Sequence, residues 1–460
     1  MQIEQGMAKD VHITYIGGGS RGWAWNLMSD LTVEKSMAGV VTLYDIDHEA
    51  AEKNVIIGNA YKSNFTYRCA DSLRESLQGA DFVVISILPG TFDEMEYDVH
   101  QPEKIGIYQS VGDTTGPGGI FRALRTMPMY VEIAEAIRDV APNAWVINYT
   151  NPMSVCVRIL YEVFPQIKAF GCCHEVFDTQ EILGYIAEKE LGAEKVQRHE
   201  VKINVQGVNH FTWITEASYN GVDLMPYYAA FAREHAANGW QLDNSKNWLN
   251  NYFTSANMVK FDLFNRFGYI AAAGDRHLAE FCPGWYLKDP ETANSFKFAL
   301  TPVSWRKKNL EKLLAESQRK VSGEEEVTIK ESGEEGVRQM KALLGLGDFV
   351  TNVNLPNRGQ IPNVAEGVVV ETNALFSANG VRPLNAGKMD EALLQMTSPH
   401  IFMQNQMIKS YHEKSLRPAF HAFLMNPLVH ASVPQAKQLF SEMVDGTKEY
   451  LQYYDLKEEL

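Results

Sequence analysis

Cysteine is scarce in this chain: there are five in 460 residues, two of them adjacent at positions 172 and 173. Such an odd and sparse set does not make a disulfide framework, so free thiols in a reducing compartment are expected. Long apolar runs are also missing, and none approaches the roughly 20 residues that a membrane helix needs. The first residues, Met1 to Met7, lack a basic segment followed by an apolar one. No export signal is read there, and a cytoplasmic protein is expected. Positive charge is in short supply, with 42 Lys and Arg against 57 Asp and Glu, a net charge of -15. Nucleic acid is therefore not an expected partner, because its binding depends on many Lys and Arg neutralising phosphates. A small acidic substrate is not excluded, since a few local arginines can hold it whatever the total charge. Internal repeats and low-complexity tracts are lacking too.

The composition itself is ordinary, 45% hydrophobic and 22% charged. A chain of this length supports an ample core divided between two closely joined domains. The first half alternates β-like and helical stretches, the pattern of an α/β domain with a mainly parallel sheet. Strands are predicted at Val11 to Ile16, Val40 to Tyr44, Phe82 to Leu88, Ala144 to Asn148 and Lys202 to Val208. Met129, Ile133, Ile137 and Val140 mark an amphipathic helix from near Pro128 to before Ala141. From about residue 225 the chain becomes richer in helix-like segments and aromatics. The domain boundary is placed near 200, giving 9–200 as a dinucleotide-binding unit and 201–460 as a mixed α+β unit for substrate, metal and oligomerisation. The acidic stretch from Gly323 to Glu335 is expected to be a solvated helix or loop. Asn352, Asn354 and Asn357 around Leu355-Pro356 suggest a polar loop.

Gly17-Gly18-Gly19-Ser20-Arg21-Gly22 fits G-x-G-x-x-G. It lies after a strand and before a helix, where bare backbone can approach a pyrophosphate at the positive end of the helix. A glycine match alone could mark only a tight turn. Asp45 closes the next strand, 23 residues after Gly22, and can accept the ribose hydroxyls of NAD; an acid there favours NAD over NADP. Cys173 and His210 are soft and borderline metal donors placed just past strand ends, where open α/β sheets set their sites. A buried thiol and a hydrogen-bonded core histidine are the plain alternatives. Two protein donors suit an exchangeable Mn²⁺ completed by substrate and water better than a structural zinc. Asn151 precedes Pro152 and either points into the crevice or forms a turn. Gly116-Pro-Gly-Gly119 reads as an ordered loop entering a helix. Asp275-Arg276-His277 gathers an acid, a guanidinium and an imidazole; a helix cap and a surface ion pair are the competing readings.

Taken together, these segments resemble glycoside hydrolase family 4, the NAD- and metal-dependent glycosidases. The resemblance runs from about residue 11 to beyond 370. It is carried by Gly17 to Gly22, Tyr44-Asp-Ile-Asp47, Thr115 to Gly119, Asn148 to Pro152, Gly171 to His174 and Gly207-Val-Asn-His210. The stretch Gly274 to Phe281 looks most like the branch acting on α-galacturonides. Phosphoglycosidases of the family carry an arginine shortly after the fourth strand, where this chain has Met95.

The resemblance implies a lactate/malate-dehydrogenase-like Rossmann domain, NAD, a divalent metal such as Mn²⁺ on Cys173 and His210, and a homo-oligomer. It also implies a route outside the usual two-carboxylate scheme: transient oxidation at C3, loss of the C2 proton, departure of the aglycone from C1, addition of water and return of the hydride. His174 matches the proton donor and Asp275 the C2 base, with Tyr269 in reserve. Asn151, Arg276 and His277 match substrate contacts, with Arg276 as the cation for a uronate carboxylate. An α-glucosidase or α-galactosidase of the same family, and a lactate/malate-type dehydrogenase with net redox, are the alternatives. A nucleotide-binding sensor without turnover is a further one.

Overall fold

A computed structural model of the protein describes residues 2–4, 6–242 and 251–460. Its strands are β1 (Gln2–Glu4), β2 (Met7–Ile16), β3 (Met37–Tyr44), β4 (Phe65–Cys69), β5 (Phe82–Ile85), β6 (Trp145–Asn148), β7 (Lys168–Gly171), β8 (Lys202–Val208), β9 (Phe211–Tyr219), β10 (Val222–Asp223), β11 (Ile270–Ala271), β12 (Phe349–Pro356), β13 (Val369–Ser377) and β14 (Gly380–Pro383). The large sheet has the order β14-β13-β12-β7-β6-β5-β2-β3-β4, with β1 against β2. From β4 to β7 every pair is parallel, and β12, β13 and β14 continue the sheet antiparallel. This is an α/β fold with a Rossmann-like, doubly wound core whose strand order reverses between β2 and β5, the place where such sheets open a ligand crevice.

The pleat explains why β5 can be apolar throughout. All four of its residues are buried: Phe82 and Val84 join the core under helices Trp23–Val33 and Gly336–Leu343, and Val83 and Ile85 join the core under helices Gly116–Val140 and Met153–Val163. A strand covered on both faces needs no polar alternation. The second sheet has β9 at its centre, bonded to β8, β10 and β11. Its hairpin joins Val208 to Phe211, which are paired, so Asn209-His210 forms the whole turn. His210 has φ +64, a left-handed conformation uncommon for a residue with a Cβ.

Three local expectations are corrected. The helix expected from Pro128 begins at Gly116, so Gly116-Pro-Gly-Gly119 is its first turn and Pro128 lies inside it. Proline cannot donate to the carbonyl four residues back, and here the Leu124 carbonyl accepts instead from the Tyr454 hydroxyl at 3.0 Å. Of the expected asparagine-rich loop, Asn352 and Asn354 lie in the strand β12, and Asn357 directly follows it. Asn352 and Asn354 are buried, and the Asn352 amide is satisfied by the Cys173 carbonyl and by Glu371. The acidic stretch is solvated only in part: Glu335 is buried and bound to Arg198, and Glu334 reaches His174.

Candidate active site

The glycine loop follows β2 at the switch point. Gly17 and Gly18 donate to the Tyr44 carbonyl, and Gly19 N–H donates to Asp45 Oδ2 at 2.9 Å. A Cβ on Gly17 would lie 1.9 Å from the Ser86 carbonyl oxygen, and one on Gly18 2.7 Å from Leu43 Cβ. These two glycines are thus required by packing alone. Gly22 differs: a Cβ there would meet nothing within 4 Å, and it begins helix Trp23–Val33 without a side-chain cap. Open space before uncapped amides fits a pyrophosphate. Asp45 keeps its place at the end of β3, and Arg21 lies 4.0 Å from Asp47.

Asn54, which sequence reasoning missed, ties this loop down. Its buried amide donates to the Gly18 and Ser20 carbonyls at 2.7 and 2.9 Å and its oxygen accepts from the Trp25 indole at 2.8 Å. Asn54→Ala leaves these loop groups unsatisfied at a cost of about 1–3 kcal/mol. Weaker NAD⁺ binding together with a lower melting temperature is expected, read by calorimetric titration and thermal denaturation; unchanged NAD⁺ affinity would show that the loop holds itself.

A cluster of donors lies deeper. Asp113, His210 and His277 offer one ligand atom each, all within 4.8 Å of one another. The Thr114 hydroxyl bridges Asp113 Oδ1 at 2.7 Å and His210 Nδ1 at 2.9 Å. If that hydroxyl donates to the carboxylate, it accepts from Nδ1–H and leaves Nε2 of His210 as the free lone pair, the usual way a neighbour fixes a ligand's tautomer. His277 Nε2 lies 3.4 Å from Glu175, and its Nδ1 is buried without a partner. Burial pushes the Asp113 carboxyl up, but Arg122, His277 and His210 outweigh it and hold it well below the usual range. Burial and His277 lower His210 to about 3, a neutral ring suited to a metal.

Of the expected metal pair, His210 is in this cluster and Cys173 is not among its members. The Cys173 thiol is buried and raised, first by burial and then by Glu371 and Glu175; it interacts with Asn209, whose side chain donates to Glu371 at 3.2 Å. Asp113 and Glu175 were missed, although they sit two residues before and one residue after quoted motif segments. Asn151 stands nearby: its carbonyl accepts from Arg122 at 3.1 Å and its Oδ1 is buried with no partner.

His174 projects into an open cleft of about 670 Å³ that Trp23, Phe177, Arg198 and Glu334 also line. Its Nδ1 is 2.7 Å from Glu334. Burial lowers its pKa, but Glu334 and Glu175 prevail and raise it to about 9. The next three expected residues are placed differently from one another. Asp275 is fully buried, and its carboxylate accepts from the amides of Val259 and Lys260 at 3.3 and 3.1 Å, capping helix Met258–Phe267; burial raises it to about 6 despite Lys260. Tyr269 lies against the large core just before β11. Arg276 is buried, its Nη2 bound to Thr301 Oγ1 at 2.6 Å.

The chain matches known proteins along its length. Residues 12–188 match the family 4 glycosyl hydrolases and residues 205–429 their C-terminal domain. An α-galacturonidase of Thermoanaerobacterium saccharolyticum is 57% identical over 99% of this chain and 100% of its own. The solved structure of LplD from Bacillus subtilis is 50% identical, covers 95% of this chain and 100% of its own, and superposes with a TM-score of 0.91. A 6-phospho-α-glucosidase from gut microorganisms, solved with NAD and Mn²⁺, shares the fold at 20% identity and a TM-score of 0.79, over 96% of this chain and 99% of its own. With both halves matched and relatives similar from end to end, this chain belongs to family 4 of the glycosyl hydrolases.

Proposed function

We propose that the chain hydrolyses α-galacturonides with NAD⁺ and a divalent metal, Mn²⁺ being the first choice. The observation that carries the reading is the set Asp113, His210 and His277, whose ligand atoms lie within 4.8 Å of one another around the buried His210. The 57% identical α-galacturonidase and the NAD and Mn²⁺ in the fold relative support the substrate and cofactors. In this reading Gly17, Gly18, Gly19, Ser20, Arg21 and Gly22 hold the pyrophosphate and Asp45 the ribose. His210, Asp113 and His277 would hold the metal, with Cys173 as the further donor that the resemblance implies. When bound, NAD⁺ supplies a hydride acceptor and the metal supplies Lewis acidity toward the sugar oxygens.

The chain's own groups do the rest. His174 carries a proton on Nε2 for the departing glycosidic oxygen, because Glu334 occupies Nδ1. Asn151 presents an unpartnered acceptor to a sugar hydroxyl, and Arg276 completes the substrate contacts, His277 being taken up by the metal set in place of the substrate contact expected of it. Asp275 is the proposed C2 base, with Tyr269 in reserve. Residues 9–200 and 201–460 form the proposed cofactor and substrate units, in a cytoplasmic homo-oligomer; among the described residues no helix is long and apolar enough to cross a membrane.

The test is release of p-nitrophenol from the α-galacturonide, α-glucoside and α-galactoside with NAD⁺ and Mn²⁺ under reducing conditions. Preference for the uronide, without net NADH, and loss of turnover on chelation are expected. Full activity after chelation would refute the metal, and stoichiometric NADH would refute hydrolysis.

A further inference from the structure

Three guanidiniums, Arg122, Arg276 and Arg306, lie close enough for their charges to interact with Asp113, and none of them forms an ion pair within 4.0 Å among the described residues. Arg122 donates its Nε to the Asn151 carbonyl. Arg276 is committed to Ser110 and Thr301 and lies 5.0 Å from the centre of the Phe253 ring, with its Nε buried and unpartnered. Arg306, in the first turn of helix Val303–Ser322, has a buried Nε without a partner as well, and none of its nitrogens is committed to a described side chain or carbonyl. Asp113, Arg122 and Glu280 are the charges that bear on it.

The nearby carboxylates are held by other groups, although Glu280 Oε2 is buried without a partner. Glu280 Oε1 accepts from the amides of Val111 and Gly112 at 2.7 and 2.8 Å. Glu175 accepts from Gly274 N–H at 2.9 Å and faces His277, and Asp113 belongs to the metal donors. A guanidinium with no partner among the described residues, beside carboxylates held by other groups, is a receptor for a carboxylate brought from outside, since its planar fork matches that group in two parallel bonds.

We propose that Arg306 is the residue that binds the C6 carboxylate of the uronide, beside Arg276, which is tied to Ser110 and Thr301. This rests on the galacturonide reading and adds the residue that sets its selectivity. The contact makes the uronide cling where a galactoside, with a neutral hydroxymethyl at C6, cannot.

The experiment compares wild type, Arg306→Gln and Arg306→Lys on p-nitrophenyl α-galacturonide and α-galactoside with NAD⁺ and Mn²⁺, alongside calorimetric binding of free galacturonate and a melting temperature. In Arg306→Gln the uronide/galactoside ratio of kcat/KM is expected to fall at least about 30-fold, as when one partner of a buried charge pair is truncated. Galacturonate binding should weaken in parallel, and Arg306→Lys should recover part of both. A retained ratio, or equal loss on both substrates in a folded Arg306→Lys protein, would overturn the role of Arg306 while leaving the galacturonide reading intact. Wild type without uronide preference would overturn that reading and this proposal with it.

Discussion

His210→Ala protein is expected to lose uronide hydrolysis on the order of 10³-fold, because Lewis-acid stabilisation of the reacting oxygens is worth several kcal/mol and each ~1.4 kcal/mol is a factor of ten. The loss should appear in Mn²⁺ binding, followed by electron paramagnetic resonance, as well as in turnover. The hairpin turn sharpens the expectation. No neighbouring residue can take over, since His210 alone occupies the left-handed position at the tip, and Asn209 is spent on Glu371. Thr114→Val, which removes only the hydroxyl that orients the ring and Asp113, should cost a smaller ~10–100-fold. Wild-type Mn²⁺ affinity in His210→Ala would place the metal elsewhere. Cys173→Ser measured beside Asp113→Asn then separates the donor implied by resemblance from the one the geometry adds.

Loss of the imidazole at 174 comes next in size. His174→Ala should slow turnover ~10²–10⁴-fold, the usual worth of a positioned acid, with NAD⁺ binding retained. Glu334→Gln gives the sharper signature. A proton donor must be protonated, so the rate falls as pH rises through its pKa. With Glu334 at 2.7 Å that pKa is about 9, and the basic limb of kcat should lie there. Without the carboxylate, the ring returns toward its ordinary value near 6.5. At pH 8 the protonated fraction then drops roughly 30-fold, whereas near pH 5.5 the variant should approach wild type. An unmoved basic limb would assign it to another group.

The parallel core and its glycine loop were legible because their signals are local. Val11 to Ile16, six glycine-loop residues and Asp45 lie in one short stretch, and the pleat and helix start demand those residue types. The proposed metal donors were legible only in part. His210 stood out beside Asn209 at the end of a strand, but Asp113 comes from a loop whose partners arrive from residues 210 and 277, a proximity that no spacing encodes. Asn352 and Asn354 misled for a related reason: asparagine favours turns when solvent satisfies it, and here Glu371 and the Cys173 carbonyl bring it into a strand. Asp275 shows the opposite limit. Its sequence neighbours suggested chemistry, and the structure ties it first to the amides of a helix start.

The antiparallel seam between β7 and β12 also bears on the order of synthesis. β7 ends at Gly171 and its partner does not begin until Phe349, so a growing chain carries an open sheet edge while residues 172–348 are made. At ~5–20 residues per second that interval is on the order of ten to thirty seconds. Throughout it, Ala169 and Phe170, buried in the finished protein, stand at an unpaired edge of the kind that recruits foreign strands. The ribosome thus finishes the glycine loop long before it supplies the strand that closes the sheet beside it, and the early half depends on the late half to become safe from aggregation.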